Sequence, residues 1–206
     1  MTSTLFLVHG GFFTADMDAE RFWRRTGIVA RLQDRGLTVH TPDRLPEPPD
    51  WAAEAAHLEP SLPTGPVTVL AGSNGCSAAV RLALGHPDRV GRLVLAWPAT
   101  AGDRERDDQI RRDLTGQGVP PQVADALLAG GTLRGVTDAE IASLRMPVAV
   151  VPSVPDNPVH RRRTVDALLR LLPEARELPG CPEPPVPSFP PHADAFVDAV
   201  TGFVTT

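Results

Sequence analysis

The stretch with the most chemical potential is Leu70-Ala71-Gly72-Ser73-Asn74-Gly75-Cys76, where a hydroxyl and an amide side chain stand among small residues between an apolar run and a helix-forming one. A strand that enters a helix through so tight a turn strains its central residue and lifts that side chain above the sheet. The geometry demands small residues two before and two after the apex. Two registers meet the demand: Ala71 to Gly75 puts Ser73 at the apex, and Gly72 to Cys76 puts Asn74 there and leaves no nucleophile. A serine hydroxyl attacks an acyl carbonyl only if a base takes its proton and an acid holds that base in one tautomer. Of the six histidines, His9 follows the first strand, His40 lies in a strand, His57 in a helix and His86 at a helix end, which leaves His160 and His192 as candidate bases.

The elements that would position these groups alternate along the chain. Residues 4–8 form a short apolar run ending in His9-Gly10-Gly11, and 18–35 carry Phe22, Trp23, Ile28, Val29 and Leu32 at helical spacing up to Gly36. Strand-like runs follow at 37–41, 66–70, 90–96, 147–151 and 175–178, and helical ones at 51–58, 74–84 and 161–172. This is the rhythm of parallel βαβ units. It breaks after Trp97-Pro98, where 101–145 holds three helical pieces (104–114, 122–128, 138–144) with no strand between them. The expectation is one α/β domain over 1–206, a mostly parallel sheet of about six strands with helices on both faces and a helical cap insertion at 101–145. Residues 181–192 contain six prolines and predict a stiff loop. Phe196, Val200 and Phe203 predict a closing helix over 193–204.

With these elements in place, the chain resembles the α/β-hydrolase fold superfamily. Its elbow is Gly-x-Ser-x-Gly, and its following helix often ends in His-Pro-Asp-Arg-Val, here His86 to Val90. An ungapped match to that phrase implies Ser73 as nucleophile, with Ala71 in place of the first glycine. The resemblance further implies His192 as base, because it precedes the terminal helix. It implies Asp156 as the acid, in the loop after the strand at 147–151, with Asp103 as a fallback. The implied order Ser73, Asp156, His192 is that of the family. The prolines of 181–191 would then form a rigid arm presenting His192. His9-Gly10-Gly11-Phe12 resembles the family's His-Gly signature and implies an oxyanion hole built from the amides of Gly11 and Asn74, each N–H aimed at developing negative charge. Phe12, Phe13, Trp97 and Phe189 flank these segments and are expected to line an acyl pocket.

The implied activity is that of a serine hydrolase (esterase or thioesterase) acting on an acyl ester or thioester of a small molecule. An acyltransferase, a cyclase-type tailoring enzyme of secondary metabolism and a non-catalytic binding protein are the alternatives on the same fold. Composition narrows the field. The net charge is −5 and every basic residue is arginine, with no polybasic stripe for nucleic acid. No apolar run approaches a membrane span. Two cysteines do not make a disulfide framework, and Cys76 is expected to be a small buried residue. The sequence has no Gly-x-Gly-x-x-Gly, phosphate loop or zinc-spaced Cys/His set, so no cofactor and no metal are expected. The absence of lysine and tyrosine beside abundant Ala, Arg, Gly and Pro suggests a high-GC bacterial gene, and residues 1–8, with neither a basic region nor a long apolar one, lead to the expectation of a cytoplasmic product. Arg104, Arg106, Arg111, Arg112 and Arg161 to Arg163 are expected to be solvated, with contact to an anionic acyl carrier as the alternative.

Overall fold

The computed structural model describes residues 3–13 and 16–206. Six strands, β1 (Thr4–Val8), β2 (Thr38–His40), β3 (Val67–Gly72), β4 (Val90–Ala96), β5 (Val148–Val151) and β6 (Arg176–Glu177), form one sheet in the order β2-β1-β3-β4-β5-β6. Every neighbouring pair is parallel. From β1 the chain winds first to β2 on one side and then returns to β3 on the other. The carboxyl ends of β1 and β3 therefore flank the point where the winding reverses, which is where open α/β sheets form their crevice.

Strand alternation divides the core. Phe6, Val8, Val69, Ala71, Leu93, Leu95 and Val150 face α2 (Trp51–Leu58), α3 (Gly75–Gly85) and α7 (Arg162–Leu171). Leu5, Leu7, Leu70, Val94, Ala149 and Val151 face α1 (Ile28–Asp34) and α8 (Ala193–Thr205). Both faces are covered, as a parallel sheet requires. The expected helix over 18–35 is in fact two pieces, a π-helical turn at Glu20–Arg24 and α1, parted at Gly27 with φ 77°. The segment between β4 and β5 contains α4 (Arg104–Gly116), α5 (Pro121–Leu128) and α6 (Asp138–Ala142). Its Leu127, Leu133, Val136 and Ile141 join the core on the α3 side, while Leu114, Val119 and Ala124 pack with Phe12 and Phe13 from the turn after β1. Among the described residues no helix is long and apolar enough to cross a membrane.

Candidate active site

Ser73 is the apex of the strand-to-helix turn, with φ 52°, a left-handed conformation that costs a non-glycine residue of order 1 kcal/mol or more. Its amide is anchored to the Ala96 carbonyl at the end of β4, so the strain is borne by the sheet. The turn also needs room. A methyl group on Gly75 would stand 2.5 Å from the His9 carbonyl oxygen, and one on Gly10 would stand 3.1 Å from Ser73 Cβ. Glycine at 75 lets the turn at Ser73 pack on the backbone after β1, and glycine at 10 leaves room for the Phe22 ring and the Ser73 side chain. Asn74 adopts helical angles as the residue that caps α3, so its N–H belongs to the unpaired first turn of that helix.

The imidazole against Ser73 belongs to His160. Ser73 Oγ lies 2.8 Å from His160 Nε2, and the hydroxyl donates there when the ring carries its proton on Nδ1. Two neighbours hold the backbone that carries the ring. Asn157 starts an Asx turn, its Oδ1 accepting from the amides of Val159 and His160. Thr100, just past β4, donates its amide to the Val159 carbonyl, and its hydroxyl oxygen accepts from the Arg161 amide. Burial, reinforced by the Arg106 and Arg134 guanidinium groups, holds His160 down to about 4. The imidazole is neutral at pH 7 and able to accept a proton.

Glu183 completes the cluster, with Oε2 3.2 Å from His160 Nε2. It comes from the proline-rich loop, which runs back alongside the loop after β5. Val154 N–H donates to the Cys181 carbonyl and Cys181 N–H to the Pro152 carbonyl, and Trp97 Nε1–H donates to the Cys181 carbonyl as well. Two residues further on, the carboxyl lies beside the imidazole. Burial pushes it up to about 8, against a downward pull from the Ser73 hydroxyl. At neutral pH the His160–Glu183 pair is thus mostly uncharged, and Nε2 is the atom that both Ser73 and Glu183 address.

The turn after β1 is clamped from within. Arg44 Nη1 donates to the carbonyls of His9, Gly10 and Gly11, its backbone N–H donates to His9 Nε2, and its guanidinium pairs with the fully buried Glu54. Burial, with Arg44 adding to it, holds His9 down to about 4, so His9 is a neutral acceptor and part of the scaffold. With its carbonyls so engaged, the turn keeps Gly11 at φ 94°. From the other side Arg134, 3% exposed, ties the insertion to the elbow. It donates to Asn74 Oδ1 at 2.9 Å and to Asp107 Oδ1 at 3.0 Å, and stands 5.1 Å over the Phe12 ring.

Several residues expected at the site lie elsewhere. His192 is exposed in the turn before α8, and the contact expected of it is made by His160. Asp156 is exposed and accepts from the Arg162 amide, which is a helix-capping role at the start of α7. Asp103 caps α4 and pairs with Arg161 and Arg163. Trp97 and Phe189 are fully buried on the α8 side, in an aromatic cluster with Trp97 stacked 4.9 Å from Phe196. They are core, not pocket. Phe12 and Phe13 pack against Leu114, Val119 and Ala124 of the insertion. Cys76 is buried, and its thiol is pushed up by that burial. Glu183, Arg44 and Arg134 carry no spacing motif. Glu183 had one available signal, as the single carboxylate among the prolines after the last strand.

No protein-family model matches the chain, and no curated protein matches it in sequence. Solved structures do match. An esterase from a Rhodococcus species superimposes with a TM-score of 0.66 at 18% identity, over 100% of this chain and 91% of that one. An extracellular α/β-hydrolase from a Paenibacillus species gives a TM-score of 0.69 at 15% identity, over 97% and 98%. A meta-cleavage product hydrolase from Pseudomonas fluorescens gives 0.66 at 15%, over 98% and 91%. The chain has the α/β-hydrolase fold.

Proposed function

We propose that the protein is a serine hydrolase that cleaves an acyl ester or thioester of a small molecule through an acyl-enzyme on Ser73. The observation that carries this reading is the 2.8 Å contact between the strained Ser73 hydroxyl and a neutral, buried imidazole. His160 takes the hydroxyl proton on Nε2 as Oγ attacks, then delivers it to the leaving group, and water repeats the sequence in reverse. The Asn74 and Gly11 amides are the oxyanion donors, the first at the positive end of α3. The helices of 101–145 act as the cap.

Glu183 takes the part of the acid. The fold's usual chain order has the acid after the strand equivalent to β5 and the base after the last strand; here the base, His160, follows β5 and the acid, Glu183, follows β6. The carboxyl meets Nε2, the nitrogen that gains the proton, so its ionised form stabilises the imidazolium by its charge and not, as in the fold's usual triad, by fixing the tautomer from Nδ1. That assignment sets the expected pH dependence. Hydrolysis should fall below about pH 4, as His160 protonates, and rise through about pH 8, as Glu183 ionises.

Turnover of 4-nitrophenyl acetate tests the reading. A pre-steady-state burst equal to the enzyme concentration and a loss of roughly 10³-fold or more in Ser73→Ala are expected. Unchanged turnover in Ser73→Ala would refute it.

A further inference from the structure

A groove of about 390 Å³ runs along α4 beside the turn that carries His160, between Arg106 and Ile110 on the helix and Pro158 and Arg161 on the turn. Its size is that of a small-ligand site. The α4 arginines differ in how they are used. Arg111 is paired with Asp108 and Asp125, Arg112 is bonded to Gln109, and Arg104 is exposed. Arg106 is half-buried on the groove wall, and its guanidinium has no ion pair or hydrogen bond among the described residues. Nearby Asp107 is taken by Arg134, and Asp103 by Arg161 and Arg163.

Two further carboxylates line the groove, Glu105, which is exposed, and Asp113, which is exposed and accepts from Gln109, and neither pairs with Arg106. Arg106 and Arg134 both act electrostatically on His160, and Arg106 also acts on Arg134. Of these two guanidinium groups Arg134 is paired with Asp107, and Arg106 has no ion pair among the described residues. A half-buried cation is costly when left without a counter-charge, and an anion brought by a ligand would supply it.

We propose that the groove binds an anionic group of the substrate, with the Arg106 guanidinium as its main contact, so that the preferred substrate is an ester or thioester carrying a carboxylate or phosphate beyond the scissile bond. The proposal rests on the serine-hydrolase reading above and adds the substrate class. It also gives one arginine of 101–145 a role distinct from its solvated neighbours.

Matched esters test it. Mono(4-nitrophenyl) glutarate carries a carboxylate on the acyl side, 4-acetoxybenzoate carries one on the leaving group, and 4-nitrophenyl acetate and methyl 4-acetoxybenzoate are neutral comparators. Wild-type kcat/KM should favour one anionic member over its neutral partner by about tenfold or more, and the favoured member identifies the side on which the charge sits. Arg106→Gln should bring that ratio close to one, Arg106→Lys should retain part of it, and Arg104→Gln should leave it unchanged. Equal ratios in wild type and Arg106→Gln would overturn the proposal. A second readout needs no turnover: calorimetric titration of the wild-type protein with glutarate and with inorganic phosphate. Binding of either that is lost in Arg106→Gln supports the groove even if no ester is hydrolysed, in which case only the hydrolase reading fails. Absence of binding, or binding that Arg106→Gln leaves intact, counts against the groove.

Discussion

At the scale of single residues, function rests on which nitrogen meets which oxygen. Glu183 and Ser73 both address Nε2 of His160, at 3.2 and 2.8 Å, so in the proposed mechanism the proton that leaves serine would arrive between the attacking oxygen and the carboxyl. Glu183→Gln keeps the shape and removes the ionisation. It is expected to abolish the rise in ester hydrolysis through about pH 8 and to lower the rate at pH 9 by about tenfold or more. A pH–rate profile with the upper limb unchanged in that variant would remove Glu183 from the mechanism. Ser73 and His160 act as a unit, so Ser73→Ala with His160→Gln should cost little more than either change alone.

At the scale of elements, the nucleophile turn depends on what β1 does next to it. Adding a methyl at Gly75 drives it toward the His9 carbonyl, which belongs to backbone and cannot rotate away. Gly75→Ala is therefore expected to lose about 1–3 kcal/mol in urea denaturation and to lose activity in the fraction that remains folded. The buried Arg44–Glu54 pair holds the same turn from beneath. Glu54→Gln leaves a guanidinium charge buried without its partner, a loss of about 3–5 kcal/mol in urea denaturation. The strands and helices were legible in the sequence because apolar alternation and helical spacing are local, and the elbow because its small residues report its own sterics. The partners of Ser73 were not. The loops after β5 and β6 reach the same edge of the sheet, so His160 and His192 read alike until the Asn157 turn and the Thr100 contacts fold one of them onto the serine. The proline-rich segment was legible as a loop outside the named strands and α-helices. Its cargo is Glu183, while His192 stays at the surface.

At the scale of the whole molecule, the site sets up a conflict between stability and activity. The folded protein holds the Glu183 proton up to about pH 8, whereas the unfolded chain releases it near 4.5. The folded state therefore binds the extra proton throughout that window, and its stability falls as pH rises from 4.5 to 8. Glu183→Gln, less active, should gain on wild type by about 1–2 kcal/mol or more in unfolding free energy between pH 5 and pH 8.5. Equal differences at the two pH values would show the carboxyl to be ordinary. On the acid side His9 and His160, both held down to about 4, take up protons more readily when unfolded, so each lowers stability as pH drops below 6.5. The central claim is that His160 activates Ser73, and the most direct measurement is the rate of labelling by a fluorophosphonate, followed by intact mass at pH 7.5 in wild type, Ser73→Ala, His160→Gln and His192→Gln. The expected result is one adduct forming at similar rates in wild type and His192→Gln, none in Ser73→Ala, and labelling slowed by about 10²-fold or more in His160→Gln. Labelling that persists in His160→Gln, or that is lost in His192→Gln, would contradict the account.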